Sequence, residues 1–384
     1  MARPLIVVSD VHLSHRGSEQ VAADLARLIV SHPHHEIVLN GDSFSLSCDP
    51  RERDPAESAT TMLGAHATLR LALRDHVVSG SPVTLLPGNH DTGVQTAGVR
   101  PALLERLELG EDAALDVEPW FVRRNGVHIE HGHVYDPDNA PAHPLAPPWF
   151  RSEPLGVALT RRFLGPHDQF LLAHKHEVTP LGALKVAFDV WGPRAPLATL
   201  ELSAAGVTIC AETAVASRLR AERRHGETAL PRYAANAGMA ESTVRALLDA
   251  RPVPTHTSFR RTFMRFYCDR VLATLAIPAG VLAIPAVGAA GGAALSAAAL
   301  AYLMAWSVRG SNRYTNRMPD HLRDGAGLVR RLTGAALVIF GHTHLEDEAE
   351  GYVNPGSFRY TERRERPYLR VDEQGRAERR YLPA

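Results

Sequence analysis

The sequence predicts an α/β protein: a core of short strands alternating with helices, interrupted by a long, mainly helical insertion. Over the first 135 or so residues, short apolar runs alternate with segments of helical spacing. The strand pattern returns only at Ala335–Phe340, after a proline-rich stretch and several Ala/Arg-rich helical segments. We therefore expect a core made of residues 1–135 and 334–384, with residues 136–333 inserted between its two parts.

The predicted strands of the core are short and almost wholly apolar. They fall at Leu5–Ser9, Ile37–Asn40, Val83–Leu86 and Val127–Glu130, with helices over Val21–Val30 and about Ala56–Val78. Unbroken apolar strands between helices are typical of a sheet that is covered on both faces. In such sheets, ligand-binding groups gather on the loops beyond the C-terminal ends of the strands.

Charge and cysteine usage narrow the class of protein. Lys+Arg and Asp+Glu both number 42, so the net charge is zero, which argues against a protein that coats nucleic acid. The three cysteines, Cys48, Cys210 and Cys268, are odd in number and widely spaced, so they form no disulfide framework. The apolar run at Leu5–Val8 is too short for a signal peptide. We expect a cytoplasmic protein.

Five short polar motifs each follow a predicted strand. They are Asp10-Val11-His12, Gly41-Asp42, Gly88-Asn89-His90-Asp91, His131-Gly132-His133 and Gly341-His342-Thr343-His344. Any one of them could be an unrelated polar loop tip. All five, in this order and each at a strand end, are hard to obtain by chance, and the glycines allow the tight turns that let neighbouring ligands converge.

These motifs supply a metal-ligand set. Two carboxylates, one amide oxygen and four imidazoles come from Asp10, Asp42, Asn89, His12, His131, His342 and His344. A set without thiolates suits divalent transition ions such as Mn, Fe, Co, Ni or Zn, with Mn, Fe and Zn foremost. Seven side chains are too many for one ion, and a carboxylate can bridge two. Two ions ~3.5–4 Å apart can clamp a phosphoryl group and lower the pKa of the water between them.

The order of the motifs resembles the calcineurin-like metallophosphoesterase superfamily. The resemblance covers residues 5–135 and 335–357, including the Asn354-Pro355-Gly356-Ser357 turn, and leaves the insertion uncovered. It implies a metallophosphoesterase-like β-sandwich core flanked by helices. It also implies a metal-dependent hydrolase of phosphate esters, either a phosphodiesterase or a phosphomonoesterase.

The resemblance also implies roles for single residues. One ion would be held by Asp10, His12 and His344, the second by Asn89, His131 and His342, and Asp42 would bridge both. His90 would face the phosphate and either protonate the leaving oxygen or steady the transition state. The nucleophile implied is a metal-bridging hydroxide that attacks phosphorus in line.

The motifs depart from two branches of the superfamily. In the phosphoprotein phosphatases, the G-D motif continues to a second acidic residue that orients the catalytic histidine, whereas this chain has Ser45 there; Asp91 is the candidate to replace it in catalysis. The UDP-2,3-diacylglucosamine hydrolases carry Arg where this chain has His90 and H-G-D where it has His131-Gly132-His133. Their substrate is therefore not assigned to this chain.

The last residue of the fourth motif and three polar residues after it are less easily assigned. His133 either touches substrate, supports the ligands from behind or is exposed to solvent, and it is kept as the candidate substrate-binding residue. Asp136, Asp138 and Asn139 either line the pocket or form a polar turn before the proline-rich loop.

An uncharged stretch of 38 residues, Val271–Val308, is the one membrane-like feature. It divides at Gly288–Gly292 into two legs, each spanning ~25 Å as a helix, against a hydrocarbon core of ~30 Å. Basic residues flank it: Arg260, Arg261, Arg265 and Arg270 before, and Arg309, Arg313 and Arg317 after. This pattern predicts a hairpin with both ends at the cytoplasmic face of the cell membrane. Pro278, Pro285 and the many alanines leave a buried hairpin or a dimer surface open.

The sequence thus predicts a metal-dependent hydrolase of a phosphate ester, acting on a lipid-linked or membrane-proximal substrate. A non-catalytic, membrane-associated metal-binding scaffold is the alternative from another class. A nuclease is less well supported, since the chain lacks a basic, aromatic-rich tract, and no nucleic-acid partner is expected. Monoester, diester and pyrophosphate substrates all fit the motifs, and the sequence carries no signal for an oligomeric state.

Overall fold

The computed structural model describes residues 3–146, 153–165, 180–213, 216–308, 318–361 and 363–383. The chain divides into two compact units: unit 1 comprises residues 1–174, 215–254 and 317–384, and unit 2 comprises residues 175–214 and 255–316. Part of the predicted insertion, residues 216–254 above all, thus groups with the strands in unit 1. The division at residues 135 and 334 rests on the strand pattern and stays a prediction.

Unit 1 is built on two β-sheets. Its strands are β1 Leu5–Val8, β2 Glu36–Asn40, β3 Val83–Leu86, β4 Leu115–Val117, β5 Phe121–Arg124, β6 Val127–Glu130, β7 Leu337–Ile339, β8 Glu346–Ala349, β9 Tyr352–Pro355, β10 Arg366–Val371 and β11 Ala377–Leu382. The first sheet has the order β11-β10-β1-β2-β3-β4 and the second β5-β6-β7-β9-β8. Strands β1 to β4 run parallel to one another, as do β6, β7 and β9, and the remaining pairings are antiparallel.

Helices belong to both units. Those of unit 1 and unit 2, in chain order, are α1 Glu19–Val30, α2 Pro55–Gly64, α3 Ala67–Val78, α4 Val99–Arg106, α5 Leu155–Leu159, α6 Pro180–Trp191, α7 Ala195–Glu212, α8 Ala216–Asn236, α9 Glu241–Asp249, α10 Phe259–Arg265, α11 Cys268–Leu282, α12 Ile284–Val308 and α13 Met318–Thr333. Helices α6, α7 and α10 to α12 lie in unit 2, and the others lie in unit 1.

Three apolar clusters hold unit 1 together. One joins the facing sides of the two sheets, with Leu5 and Val7 from the first and Ile129 and Ile339 from the second. A second packs helices α1 to α4 on the outer face of the first sheet, and a third packs α8, α9 and α13 on the outer face of the second. Each fully buried aliphatic side chain contributes about 1.5–3 kcal/mol. The predicted β-sandwich flanked by helices, with a mainly helical insertion, is confirmed.

The helix predicted over about 56–78 is in fact two helices, α2 and α3. Asp54 caps the first by accepting a hydrogen bond from the Ala56 amide (3.0 Å), and Pro55 occupies the first helical position. His66 interrupts the run, with φ −121° and ψ 74°, and its buried ring lies 2.9 Å from Ser18 Oγ. This tertiary hydrogen bond, invisible in the apolar spacing, ends the helix that periodicity alone would continue.

The sandwich brings five loops to one edge. Strands β1, β2 and β3 are parallel neighbours, so the loops after them leave from the same edge of the first sheet. Strands β6 and β7 are parallel neighbours in the second sheet, and the loops after them share an edge for the same reason. Each of these five loops carries one of the five polar motifs.

Unit 2 contains an antiparallel hairpin of α11 and α12. Gly280 faces Gly292 and Ser296 so closely that a Cβ at Gly280 would collide with both, and Ser296 Oγ donates to the Ile277 carbonyl (2.8 Å). The turn, predicted at 288–292, comes slightly earlier: α11 ends at Leu282, and the non-helical residue is Gly288, with φ 76°. The basic residues Arg309, Arg313 and Arg317 lie outside the described residues.

Candidate metal centre

Hydrogen bonds tie the five loops together at the edge of the sandwich. The amides of Asp10 and His12 donate to the carbonyls of Gly41 (3.2 Å) and Asp42 (2.8 Å), which joins the first loop to the second. The His90 amide donates to Asp42 Oδ1 (2.8 Å), adding the third. The fourth and fifth loops are joined by a hydrogen bond from the Gly341 amide to the His131 carbonyl (2.9 Å). The His342 amide donates to Asp10 Oδ2 (3.2 Å), which joins the fifth loop to the first.

The backbone of these loops is held in an unusual conformation. Five of the seven predicted ligands have left-handed φ angles: Asp10 (57°), His12 (49°), Asp42 (50°), His342 (72°) and His344 (58°). Non-glycine residues seldom adopt this region, and each instance costs on the order of 1–3 kcal/mol. Such residues cluster where function requires a fixed geometry. The strain therefore points to this edge as the functional site, independently of the motifs.

Two glycines allow the loops to approach one another. Gly88 lies against Asp42, and a Cβ at Gly88 would collide with the Asp42 carboxylate and amide. Gly41, with φ 76°, lies against the His131 ring in the same way. Close approach therefore requires glycine at both positions, and the left-handed backbone favours it at Gly41 as well.

Four of the predicted ligands converge. Asp10, His12, Asp42 and His344, here called the quartet, offer ligand atoms that all lie within 4.8 Å of one another. Asp10 Oδ1 is 3.0 Å from His344 Nε2, and His12 Nε2 is 3.2 Å from the same nitrogen. The side chains are at least nine-tenths buried. This is a compact His/Asp cluster of the kind that holds a divalent cation.

His131 faces the quartet from the second sheet. Its Nδ1 lies 3.0 Å from the Asn40 carbonyl, which directs Nε2 toward the carboxylates, 3.3 Å from Asp42 Oδ2 and 4.0 Å from Asp10 Oδ1. Among the described residues, His131 Nε2 and Asp10 Oδ1 are buried without an aligned hydrogen-bond partner. Buried polar atoms normally have one, and a cation between these groups would supply it.

The electrostatics of the cluster favour positive charge between the carboxylates. Burial acts to raise the pKa of Asp10, but the imidazoles of His344 and His131 outweigh it and lower the pKa to about 2. Burial likewise acts to lower the pKa of His131, yet Asp42 and Asp10 raise it to about 9. Two buried carboxylates thus remain ionised and attract a cation.

The remaining predicted ligands, Asn89 and His342, are held from behind. Asn89 Nδ2 donates to Asn139 Oδ1 (3.2 Å), and His342 Nε2 lies 3.0 Å from Asp136 Oδ2. The Asn89 Oδ1 oxygen is buried and, within the described part of the chain, accepts no hydrogen bond. The rings of His131 and His342 lie 5.3 Å apart, so this half of the cluster adjoins the first.

The donor set fits a pair of divalent cations. Two imidazole nitrogens face each other at 3.2 Å, and the buried oxygens Asp10 Oδ1 and Asn89 Oδ1 have no aligned hydrogen-bond donor in the described part of the chain; a cation relieves both arrangements. All the donors are oxygen or nitrogen, which suits borderline and hard divalent ions. The atoms of Asp42 serve both halves, since Oδ2 is 3.7 Å from His12 Nε2 and 3.3 Å from His131 Nε2.

His90 and Asp91, the predicted catalytic residues, have different surroundings. The His90 ring is half-buried beside the His12 ring (5.4 Å), and its Nδ1 lies 2.7 Å from Ser47 Oγ. Asp91 is fully buried and accepts four backbone hydrogen bonds, from the amides of Gly88, Asp42, Ser43 and Phe44 (2.6–3.2 Å). Asp91 therefore stabilises the Asp42 loop, whereas the side chain within hydrogen-bonding distance of the His90 ring is that of Ser47.

Sequence reasoning missed Ser47 and Tyr360. Ser47 belongs to no motif and comes from the short 3-10 turn Leu46–Cys48. Tyr360 stacks on the His344 ring at 5.3 Å with an interplanar angle of 13°. Tyr360 comes shortly after the turn at 354–357, and this closeness in sequence was its only signal. His133, predicted to bind substrate, lies with its ring 5.4 Å from that of His131.

The turn at 354–357 supports the last motif. Asn354 Nδ2 donates to the Gly341 carbonyl (2.6 Å) and to Thr343 Oγ1 (3.0 Å). Ser357 Oγ donates to the Asp10 carbonyl (3.0 Å). The turn therefore fixes the fifth loop against the first.

Comparison with known proteins agrees with the geometry. A family model described as calcineurin-like phosphoesterase matches residues 3–189, a range that includes four of the five motifs. The fifth motif lies outside that range, and the structure joins it to the others through the hydrogen bonds of Gly341 and His342. No curated protein matches the chain.

Proposed function

We propose that this chain, whose residues 3–189 match the calcineurin-like phosphoesterase family, hydrolyses phosphoric ester bonds with the help of two divalent metal ions. In this proposal the quartet holds the first ion, with Mn, Fe and Zn as the candidates. The second ion would be held by Asn89, His131 and His342, with Asp42 contributing to both sites. The observation that carries the proposal is the convergence of the quartet's ligand atoms within 4.8 Å.

The two ions, when bound, would neutralise phosphoryl charge and lower the pKa of a water molecule. The protein supplies the fixed positions for them, because its ligand loops are held by backbone hydrogen bonds and by the glycines at 41 and 88. A site assembled in advance requires little reorganisation during the reaction.

His90 is the proposed proton donor to the leaving oxygen. Ser47, by donating its hydroxyl hydrogen to Nδ1, would place the imidazole proton on Nε2, where it can pass to substrate. The half-buried position of the ring, beside His12, gives a substrate access to it. Asp91 contributes by holding the loop that carries Asp42.

The function is tested by hydrolysis assays on the purified, Mn²⁺-loaded chain. The panel contains an aryl phosphate monoester, an aryl phosphodiester, a nucleotide with a pyrophosphate bond and phospholipid headgroups, and the D42N variant is the control. We expect hydrolysis of at least one class well above that control, and the class hydrolysed distinguishes monoesterase, diesterase and pyrophosphatase. Two bound ions per chain without hydrolysis of any class would indicate the scaffold function instead.

We further propose that the α11–α12 hairpin inserts into the lipid bilayer at the cytoplasmic face of the cell membrane. Among the described residues, one helical segment, Ile284–Trp306, is long and apolar enough to cross a membrane. Only 11% of its most apolar part is buried. Large apolar side chains along both helices are exposed, with Leu275 at 59% and Leu282 at 80%. Exposed apolar surface of this extent is typical of membrane or partner contacts.

The ends of the hairpin differ in polarity in the way that insertion requires. At its open end, Tyr302 Oη donates to Asp269 (2.5 Å), and the Arg270 guanidinium lies over the rings of Tyr267 and Trp306. Aromatic and charged residues of this kind favour the membrane interface. The turn, between Leu282 and Gly292, carries no charge. An enzyme anchored in this way would meet lipid-linked or membrane-proximal phosphate esters.

Flotation with anionic phospholipid vesicles tests the membrane proposal. We expect the wild-type chain to float with the vesicles and the L275D/L282D variant to stay in solution. V78D, the matched control, places a charge at a site of similar exposure (69%) in unit 1 and should float like the wild type. If the double variant also floats, the hairpin is not the anchor, and the buried-hairpin and dimer alternatives are then tested by sedimentation.

A further inference from the structure

Two side chains that follow β6 lie directly behind the second half of the candidate metal centre. Asp136 is buried, with 5% of its surface exposed, and Asn139 lies three residues on. Asn139 Nδ2 donates to Asp136 Oδ2 (2.6 Å), and the Asp138 amide donates to Asp136 Oδ1 (3.0 Å). The sequence placed these residues near the pocket without distinguishing pocket lining from a polar turn.

Asp136 determines how His342 is presented. Its Oδ2 lies 3.0 Å from His342 Nε2, so a neutral ring donates its Nε2 hydrogen to the carboxylate. The lone pair available to a cation is then on Nδ1. A carboxylate behind a ligating imidazole fixes its tautomer and its orientation and makes it a better ligand.

Asn139 does the same for Asn89. Asn139 Oδ1 accepts from Asn89 Nδ2 (3.2 Å), so the amide nitrogen of Asn89 faces away from the cluster. The Asn89 Oδ1 oxygen, which lacks a hydrogen bond within the described residues, is left as the donor atom for a cation. Removing Asn139 removes the acceptor that favours this orientation of the Asn89 amide.

Helix α5 holds Asn139 in place. Gly156, in its first turn, donates its amide hydrogen to the Asp138 carbonyl (2.9 Å). A Cβ at Gly156 would collide with the Asn139 amide group. The position of Asn139 thus depends on a glycine from the segment that follows the proline-rich loop.

We propose that Asp136 and Asn139 are positioning residues that present His342 Nδ1 and Asn89 Oδ1 to the second ion. One hydrogen-bonded chain, His342–Asp136–Asn139–Asn89, orients both ligands. This inference rests on the proposed two-metal function. It makes the affinity for the second ion depend on two residues that do not themselves bind the ion.

The test measures metal content and geometry. Purified wild type, N139A and D136N are titrated with Mn²⁺ and the bound metal is counted after desalting. We expect wild type to bind two ions, and both variants to keep the first and bind the second about 10–100-fold more weakly. D112N makes the same charge change at an exposed position and should match the wild type. G156A should resemble N139A, because it displaces the same side chain.

Anomalous diffraction from Mn²⁺-loaded crystals supplies the second readout. Coordination of the second ion by His342 Nδ1 and Asn89 Oδ1 would support the proposal, and coordination by His342 Nε2 would overturn it. Unchanged second-ion affinity in soluble, folded N139A would overturn it as well, which guards against misfolding of D136N. If wild type itself binds one ion or none, the two-metal function fails first, so the two failures are distinguishable.

Discussion

The two halves of the candidate metal centre are organised by different means. The quartet converges through its backbone: all four of its residues have left-handed φ angles, and its ligand atoms lie within 4.8 Å of one another. Asn89 and His342, here called the second ligand pair, are oriented by side chains behind them, Asp136 and Asn139. Asp136 is the one carboxylate among the four side chains of that hydrogen-bonded chain.

The difference concerns both charge and preorganisation. The quartet contains two carboxylates, whereas the second ligand pair adds none and shares Asp42 with the quartet. An ion in the first half therefore gains more Coulombic attraction in a buried, low-dielectric site. All four residues of the quartet have strained backbones, whereas in the second ligand pair only His342 does, and both of its side chains depend on a hydrogen-bonded chain that a single substitution can break. The first ion should therefore bind more tightly than the second.

Substitution of Asp42, which both halves share, should weaken the binding of both ions. In D42N, the carboxylate that faces both His12 and His131 becomes a neutral amide, so both ions should bind weakly. Loss of the metal ions removes several kcal/mol of transition-state stabilisation, or at least about 10³-fold in kcat. Metal counting and assays on the hydrolysed substrate check both effects. Two tightly bound ions in D42N would contradict the shared role.

Substitution of His90 should separate chemistry from metal binding. H90A removes the proposed proton donor, and we expect kcat to fall by about 10²–10⁴-fold while both ions stay bound. The effect should shrink with substrates whose leaving group is a weak base, such as nitrophenol, because these need less protonation. An equal loss of metal in H90A and D42N would show that His90 is a ligand and not the donor.

The parts of this site that could be predicted from sequence are those with local signals. A motif after a strand names both the residue and its edge of the sheet, so Asp10, Asp42 and His344 could be placed together before any coordinates. The fold class could also be predicted, because short apolar strands between amphipathic helices can pack in only a few ways. The break in the helix at His66 was missed, since it depends on a hydrogen bond to Ser18, 48 residues away.

The supporting residues were harder to predict because their partners are set by tertiary packing. Ser47 and Tyr360 reach the cluster from outside every motif, and serine and tyrosine are common in loops. Asp91 is adjacent to His90 in sequence, which suggested a contact, yet its carboxylate faces the amides of the Asp42 loop. Side-chain direction in an irregular loop follows no period, unlike that in a strand or helix.

Chelation should resolve the two halves in the unmodified chain. When EDTA is titrated into protein holding two Mn²⁺ ions, we expect two steps, with the second ion leaving at a roughly 10-fold lower chelator concentration, in line with a difference of about 1.4 kcal/mol. Activity should be lost in the first step. N139A should widen the separation between the steps. Release of both ions in one step would show that the halves bind cooperatively and that the comparison between them does not hold.

The smallest effect expected is that of Ser47. S47A removes the hydroxyl that lies 2.7 Å from His90 Nδ1 but leaves the backbone hydrogen bond from the Ser47 amide to the His90 carbonyl (2.9 Å). Losing one net hydrogen bond costs about 1 kcal/mol, so kcat should fall by about 5-fold, with KM and metal content unchanged. S45A, in the same loop, is the control and should retain wild-type kcat, and H90A/S47A should be no slower than H90A alone. Additive losses in the double variant would show that Ser47 acts on something other than His90.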